Sequence, residues 1–394
     1  MTTERLQMAL TDLGFDPGPV DGAMGPLTQL ALARFQRAYR LRADGCMSPE
    51  TLRLLRTELP RCRRLVCVGQ HSSLVGLAAE VGVMSHALVE ANRHKARDPV
   101  YPDEKLTVYR RAVIQALVGP GDLQLSEGRG RFTRVLVPLG RLAGDGGAEL
   151  EPLVGGEALS ADWPAGGPAM GVVELGGPAR TQRLAVARAV IAAAARWGRA
   201  PLAGVVLRDV GLDLEGAVFM AQLASVLARI RRRSHLKLEL GAWIQLPDAG
   251  RHVDLEELAQ HVDWVMAELR ETAGSWELLS DAARKAPRWK LVAGIDLRPY
   301  HIEDGKPVRM EWRDFSALRK RHVMRESVDL ETGLRQFAYR SKGRVRRMFT
   351  EDRGSLARVL HEVNALNMLG VAFIGMPPDS AWVTEEMLKK FIPM

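Results

Sequence analysis

The pattern of apolar positions predicts a three-helix unit at the start of the chain. Over residues 4–57, apolar side chains recur at helical spacing, as in the stripe of Leu6, Leu10 and Leu13. The loops between the helical segments are dense in glycine, proline and aspartate, and the last helix is expected to begin at Pro49. Such loops are rigid, which suits a binding surface.

A second small unit follows over residues 65–109. The pattern predicts a short strand at Leu65–Val68, a helix over 73–81, a second helix that ends at Asn92, and a closing strand at Lys105–Tyr109. A strand–helix–helix–strand unit of this length is expected.

From Arg111 onward, apolar strands alternate with helical patterns, which predicts an α/β fold with a (β/α)₈ TIM barrel. The predicted strands are 112–118, 132–139, 169–175, 203–213, 236–244, 262–268, 290–297 and 369–375. The predicted helices include 179–197, 216–232, 254–260, 275–286, 312–321 and 354–368. The predicted domains are 1–60, 64–110 and 111–394.

The fourth predicted barrel strand ends in two carboxylates, Asp213 and Glu215. Because successive strand residues point to opposite faces, these two side chains are expected to project together. Neighbouring carboxylates repel each other, so one pKa should be raised, as a proton donor to a glycosidic oxygen requires. The alternative is that both carboxylates cap the following helix.

Composition limits the partners. The net charge is +8 and aromatic residues make up 6% of the chain, so an acidic wall polymer is a plausible partner and no nucleic acid is expected. The three cysteines, Cys46, Cys62 and Cys67, have neither a disulfide framework nor metal-site spacing, and no cofactor or metal is predicted. Neither a signal-peptide pattern nor a membrane span is found, so synthesis in the cytosol is expected.

The first unit resembles the peptidoglycan-binding-like domain in the order and spacing of its motifs. The matching residues are Leu6-Gln7, Leu13-Gly14-Phe15, Asp21-Gly22, Gly25, Thr28, Phe35-Gln36, Asp44-Gly45 and Pro49-x-Thr51. Ser48 departs from the glycine that the family usually has there. Each residue alone is equally consistent with shaping a small core.

The second unit resembles a LysM domain. The matching residues are Ser73-Leu74, Leu77-Ala78, Gly82-Val83, Leu88, Asn92, Tyr101-Pro102 and Lys105-Leu106. The resemblance implies that N-acetylglucosamine chains bind between the strand–helix loops, near Ser72, Ser73, Leu74 and Asn92. Ser72 is expected to be the N-cap of the first helix.

The third segment is similar to glycoside hydrolase family 18, in the branch that includes bacterial spore-cortex-lytic proteins. Leu212-Asp213-Leu214-Glu215-Gly216 follows the Ile-Asp-x-Glu-Gly motif of that family, and Phe337-Ala-Tyr339 with Arg346-Arg-Met-Phe349 follows its closing hairpin. The resemblance implies substrate-assisted hydrolysis, with Glu215 as proton donor and Asp213 orienting the 2-acetamido group of the substrate.

The resemblance also implies a substrate-binding set, and several of its positions depart from the family. The set is Glu268, Arg270, Glu271, Tyr339 and Ile374. Arg208 replaces the aspartate seven residues before the acid, and Ile374 replaces the tryptophan on which the sugar stacks. A Met-x-Tyr-Asp motif on the sixth strand is replaced by Glu268-Leu-Arg270-Glu271.

Two functions therefore remain open. The first is a peptidoglycan glycosidase of the N-acetylglucosaminidase type; the second is a weak or inactive wall-binding protein with the same fold. A chitinase for exogenous chitin is disfavoured by the wall-binding modules. Localisation to the spore, reached from the mother-cell cytosol, is expected, and association with the cell wall is the alternative.

Overall fold

The computed structural model describes most of the secondary structure of the chain. The described residues are 1–13, 15–39, 41–62, 64–67, 73–81, 85, 88–89, 92, 99–102, 105–117, 132–142, 150–151, 169–174, 203–208, 218, 220–225, 238–246, 255–269, 274–303, 306–330, 332–390 and 392–393. None of the helices in these ranges is long and apolar enough to cross a membrane.

Helices and strands follow one another in three groups. The helices are α1 (Thr3–Asp12), α2 (Pro26–Ala38), α3 (Pro49–Cys62), α4 (Leu74–Val81), α5 (Leu255–His261), α6 (Ser275–Lys285), α7 (Trp312–Arg321), α8 (Arg353–Ala365) and α9 (Ala381–Leu388). The strands are β1 (Arg64–Cys67), β2 (Lys105–Val108), β3 (Arg110–Ala116), β4 (Arg134–Leu142), β5 (Leu150–Glu151), β6 (Ala169–Glu174), β7 (Gly204–Arg208), β8 (Glu239–Leu246), β9 (Trp264–Leu269), β10 (Leu291–Asp296), β11 (Tyr300–Glu303), β12 (Lys306–Arg309), β13 (Arg325–Val328), β14 (Arg335–Ser341), β15 (Arg344–Thr350), β16 (Gly370–Ile374) and β17 (Ile392–Pro393).

The first group is the predicted three-helix unit, α1 to α3. Buried Gln7 holds its first loop: the Gln7 Nε2 donates to Asp21 Oδ1 at 2.8 Å and to Thr28 Oγ1 at 3.2 Å. The backbone N–H of Gly22, whose φ of +77° suits glycine, donates to Gln7 Oε1 at 2.8 Å. One side chain thus satisfies both sides of the turn.

A second glutamine repeats this arrangement in the next loop. Gln36 Nε2 donates to Asp44 Oδ1 at 3.3 Å and to Thr51 Oγ1 at 3.2 Å, and Gly45 N donates to Gln36 Oε1 at 2.9 Å. The motif residues of this unit are therefore explained by the hydrogen bonds that hold its two loops.

The second group contains the predicted strand pair. β1 and β2 pair antiparallel, and α4 follows Ser73, whose Oγ accepts a hydrogen bond from Gly76 N at 3.0 Å. Ser73 rather than Ser72 is therefore the N-cap of α4; Ser72 itself lies outside the described residues. Residues 85 and 88–89 are helical, consistent with the second predicted helix. The LysM identity of this unit stays a prediction.

The third group is a closed barrel of eight parallel strands. Their order is β3, β4, β6, β7, β8, β9, β10 and β16, and β16 pairs back onto β3. Each predicted barrel strand is present, and the (β/α)₈ prediction is confirmed. The fourth strand ends at Arg208, and residues 209–213 of the prediction lie outside the described part of the chain, as does the predicted helix 179–197.

Alternate residues of these strands fill the barrel and the layer under the helices. The interior contains Trp243, Trp264 and Met266 with aliphatic side chains from the other strands, while a second and larger cluster lies between strands and helices. A Cβ at Gly241 would lie 2.8 Å from the indole of Trp264, so only glycine leaves room for that ring. The interior is thus a packed core rather than a channel.

An antiparallel sheet is inserted between the seventh and eighth barrel strands. Its strand order is β12, β11, β15, β14 and β13, and the residues Phe315, Phe337 and Met348 form a small core between this sheet and α7. β14 and β15 are joined by Lys342 and Gly343, both at positive φ, as a two-residue hairpin turn requires. The hairpin predicted from the sequence is therefore present.

The three-helix unit is anchored on the barrel by Trp289. The indole stacks on Tyr39 at 5.6 Å between ring centroids and lies 4.9 Å from Phe15. Trp289 lies two residues before the first residue of β10. This contact is therefore at the amino-terminal end of the barrel strands, opposite the end where barrels carry their sites. Arg37 and Glu256 add an exposed ion pair across the same boundary, at 3.7 Å.

We expect Trp289→Ala to release the three-helix unit from the barrel. Truncation of a buried tryptophan lowers stability by about 3–5 kcal/mol. Here the lost stability is that of the contact between the two units. Urea unfolding followed by near-ultraviolet circular dichroism should show a new early transition. Trp276→Ala is the matched control, because Trp276 is an exposed tryptophan on α6. A single unchanged transition in Trp289→Ala would contradict this account of the anchor.

Candidate active site

Four charged side chains form a layer at the carboxyl ends of the barrel strands. Glu174, Arg208, Glu268 and Asp296 lie at or next to the last residue of β6, β7, β9 and β10. Each falls on the inward register, two residues after an interior position such as Val172, Val206 or Met266. Charged groups that close a packed barrel core at this end form the expected place for a site.

Arg208 pairs with a second charged side chain of this layer and with a neighbouring aromatic ring. The Arg208 Nη1 donates to Glu174 Oε1 at 3.0 Å, and the guanidinium lies 4.4 Å above the ring centroid of Trp243. The register of the three strands brings these residues side by side. Among the described residues, the buried Arg208 Nε has no hydrogen-bond partner. A buried donor without a partner is costly and is suited to a ligand oxygen.

Glu268 is a buried carboxyl group in the same layer. It is 5% exposed, and its Oε2 accepts a hydrogen bond from Trp243 Nε1 at 2.6 Å. Burial raises the pKa of Glu268, and the negative charge of Asp296 acts in the same direction. Arg208, Arg298 and the Trp243 hydrogen bond act in the opposite direction but are outweighed. A carboxyl group with these properties holds its proton to a higher pH than an ordinary glutamate.

Asp296 organises the loop that leads into the inserted sheet. It is 2% exposed, and Arg298 binds it through Nε at 3.0 Å and Nη2 at 2.7 Å. Arg309 adds a contact of 3.6 Å and stacks on Tyr300. Asp296 is thus engaged by two guanidinium groups.

The raised pKa of Glu268 predicts a dependence of stability on pH. In the unfolded chain this carboxyl titrates at about pH 4.3, whereas the folded protein retains the proton to a higher pH. Stability from this group is therefore complete below the unfolded pKa and is lost as pH rises through the folded pKa. Relative to Glu268→Gln, the wild type should lose roughly 1.4 kcal/mol of unfolding free energy for each pH unit over which only the folded state keeps the proton. Urea unfolding at several pH values checks this, and parallel curves would contradict it.

Some of the substrate-binding residues predicted from the sequence lie away from the charged layer at the strand ends. Tyr339 is on β14 of the inserted sheet, with its ring 4.8 Å from that of His322. Ile374 ends β16 in the barrel interior and is 0% exposed, so its side chain packs the core and a substrate-binding role is not supported. Asp213, Glu215, Arg270 and Glu271 lie outside the described residues.

The loop residues of the second unit need a similar correction. Asn92 is 1% exposed, and its side-chain amide donates to Leu88 O at 2.8 Å. Leu74 is also buried. Both side chains stabilise the fold of this unit and are not available to a glycan, whereas Ser73 is exposed.

Sequence reasoning missed Glu174, Trp243, Asp296 and Arg298. A signal was present, because β6 and β10 each end an apolar run with a single acidic residue, Glu174 and Asp296. Trp243 gave no such signal, because an aromatic residue inside an apolar strand reads as core.

Comparison with known proteins confirms the identity of the first unit. Residues 3–55 match the family model of a peptidoglycan binding domain. A curated relative is the N-acetylmuramoyl-L-alanine amidase CwlM of Mycobacterium tuberculosis, which is 56% identical over 50 residues. That match spans 13% of this chain and only 12% of the amidase, so it concerns the binding domain alone.

Comparison with solved structures concerns the barrel. The chitinase from Chromobacterium violaceum aligns with a TM-score of 0.56 and 18% identity, covering 70% of this chain and 98% of the chitinase. The spore cortex-lytic enzyme SleL of Bacillus megaterium aligns with a TM-score of 0.55 and 12% identity, covering 84% of this chain and 87% of SleL. A family 18 N-acetylglucosaminidase from Paenibacillus barengoltzii aligns at 0.52 and 14% identity, over 71% of this chain and 98% of that protein. At these identities the similarity establishes the fold.

Proposed function

We propose that the protein is a peptidoglycan glycosidase that cleaves β-1,4 bonds next to N-acetylglucosamine. The observation that carries this proposal is the buried, proton-retaining Glu268 beside Trp243, together with Arg208 Nε, which has no hydrogen-bond partner in the described part of the chain, at the carboxyl ends of the barrel strands. A carboxylic acid that keeps its proton can donate a hydrogen bond to a substrate carbonyl oxygen, which is the role proposed for Glu268 below. The peptidoglycan binding domain on the same chain supports the choice of substrate.

In the proposed reaction, Glu215 donates a proton to the oxygen of the leaving sugar. The carbonyl oxygen of the 2-acetamido group attacks the anomeric carbon as the glycosidic bond breaks, and Asp213 orients that group. Water then attacks the same carbon, gives up a proton to Glu215 and regenerates the acetamido group. Because substitution at the anomeric carbon occurs twice, each time with inversion, the anomeric configuration is retained overall.

Glu268 is proposed to hold the acetamido group. As a neutral carboxylic acid it can donate its O–H to the acetamido carbonyl oxygen, the contact that the resemblance expects from a tyrosine. Its other oxygen is fixed by Trp243, so the donor is held in one orientation. A donor held in one orientation positions the carbonyl oxygen for attack on the anomeric carbon, and such positioning lowers the barrier to reaction.

The stereochemical outcome tests the proposed route. Hydrolysis of a soluble N-acetylglucosamine oligomer, followed by proton NMR, should give the β-anomer as the first product. Initial release of the α-anomer would indicate an inverting enzyme and would contradict the role of the acetamido group.

A second function remains supported by a specific observation. The Arg208–Glu174 ion pair occupies the ends of two neighbouring barrel strands, and Ile374 offers no exposed platform for a sugar ring. Both features favour a wall-binding protein that has lost turnover. Absence of any hydrolysis, with retained binding to purified peptidoglycan, would support that function instead.

Association with the cell wall follows from the binding domain, and the spore cortex is the finer location that we propose. A fluorescent fusion should concentrate at the forespore during sporulation. An even signal throughout vegetative cells that is absent from spores would contradict this location.

A further inference from the structure

A cleft of about 570 Å³ separates the peptidoglycan binding domain from the outer face of the barrel. One wall comes from the binding domain, with Phe15, Asp16 and Arg34. The other wall comes from α5, α6 and the segment before β10, and includes Arg288. Nothing in the proposed reaction uses this cleft, which lies away from the carboxyl ends of the strands.

The cleft carries positive charge that the protein itself does not neutralise. Four basic and two acidic side chains line it: Arg34, Arg284, Lys285, Arg288, Asp16 and Glu256. Arg284 and Lys285 both bind Asp281. Within the described chain, Arg34 and Arg288 form no ion pair, although one comes from each wall.

Arg288 is the more informative of the two unpaired cations. Its Nε reaches only a backbone oxygen, that of Ala283, at 3.5 Å. Burial lowers the pKa of Arg288, and the charge of Asp16 acts in the opposite direction without a direct contact. Asp16 is engaged instead by Gly18 N at 2.9 Å. A partly buried guanidinium without a carboxylate partner is suited to an anionic ligand.

The spacing of the two walls is fixed before any ligand arrives. Trp289, the neighbour of Arg288, is held between Phe15 and Tyr39 of the binding domain. Phe15 therefore contributes both to the anchor and to the cleft wall. The backbone positions of Arg34 and Arg288 are consequently fixed across the boundary, which reduces the cost of binding a ligand between them.

We propose that this cleft binds a free carboxylate of the peptide portion of peptidoglycan, with Arg34 and Arg288 as the cationic contacts. The inference rests on the proposed wall-directed function, and it adds that the barrel supplies part of the wall-binding surface. Peptide carboxylates are chosen over the glycan because the glycan backbone offers hydroxyl and amide groups, which do not require two guanidinium groups. Phosphate-bearing wall polymers are the competing ligand class that the experiment separates.

The test uses the full chain and soluble muropeptides in isothermal titration calorimetry. The muropeptide with its peptide is compared with the disaccharide of N-acetylglucosamine, which carries no carboxylate. The wild type should bind the first at least about 10-fold more tightly, as loss of a charge-assisted contact predicts. Arg288→Gln should remove most of that preference, and Arg34→Gln part of it.

Arg53→Gln is the matched control. Arg53 is an exposed arginine on α3, so this substitution removes the same charge at a position away from the cleft. It should bind like the wild type. Equal affinity of wild type and Arg288→Gln for the muropeptide, or equal binding of the muropeptide and the N-acetylglucosamine disaccharide, would overturn the proposal. Displacement of the muropeptide by inorganic phosphate at equimolar concentration would also overturn it in favour of a phosphate site.

Two further measurements keep the outcome independent of folding and of the barrel chemistry. Arg288→Lys should restore part of the preference if charge is the cause, whereas a structural defect would not be rescued. Hydrolysis of a peptide-free N-acetylglucosamine oligomer should be the same in Arg288→Gln and wild type. A barrel without turnover would refute the glycosidase proposal and leave the binding result standing.

Discussion

Replacing Glu215 with glutamine is expected to lower turnover of an N-acetylglucosamine oligomer by about 10²–10⁴-fold, the usual contribution of a general acid. Glutamine keeps the shape of glutamate and cannot give a proton to the leaving oxygen. Binding of the oligomer should change little, so the loss should appear in kcat rather than in KM. Initial rates of reducing-sugar release at saturating substrate measure the effect.

Glu303→Gln is the control for this substitution. Glu303 is an exposed glutamate on β11 of the inserted sheet, so the same chemical change there should leave the rate unaltered. If Glu215→Gln turned over at the wild-type rate, Glu215 would not be the proton donor.

Glu268→Ala should reduce turnover by about 10²-fold, because it removes the donor that positions the acetamido carbonyl oxygen. Glu268→Gln should retain most of the activity, since its amide N–H can replace the carboxylic O–H and its oxygen can still accept from Trp243 Nε1. A structural role alone would not distinguish the two variants in this order.

The pH profile separates this role from simple packing. In the wild type, the donor is lost as pH rises through the raised pKa of Glu268, so activity should fall on that side. The charged groups around Glu268 are Arg208 on β7, and Asp296 and Arg298 at the end of β10. Glu268→Gln has no proton to lose and should keep its activity there. An identical alkaline limb in both proteins would contradict the assignment.

The sequence predicted the fold well because the barrel depends on local pattern. Strands buried on both faces appear in the sequence as continuous apolar runs, and the helices between them have a helical spacing of apolar residues. All eight barrel strands coincide with predicted apolar runs. The spacing Asp-Gly-x₅-Thr, which occurs at Asp21 and again at Asp44, also corresponds to one loop arrangement used twice. That repeat was missed, because its meaning depends on the distant glutamines Gln7 and Gln36.

The site was less predictable because it depends on which groups meet in space. Alignment to the family pattern placed Ile374 in the substrate pocket, whereas tight packing buries it in the barrel interior. Glu268 was identified from its alignment with the family motif on the sixth strand, but its raised pKa depends on burial and on Asp296, 28 residues along the chain. In the sequence, Trp289 looks like an ordinary residue before a strand. Its function as the anchor of the first domain is evident only from its contacts with Phe15 and Tyr39.

Analysis of the ends released from peptidoglycan tests the glycosidase proposal most directly. Purified sacculi are incubated with wild type or Glu215→Gln, the soluble fragments are reduced with borohydride, and their ends are identified by mass spectrometry. The account predicts new N-acetylglucosaminitol ends with the wild type and almost none with Glu215→Gln. No new ends with the wild type, or equal amounts with both proteins, would contradict it.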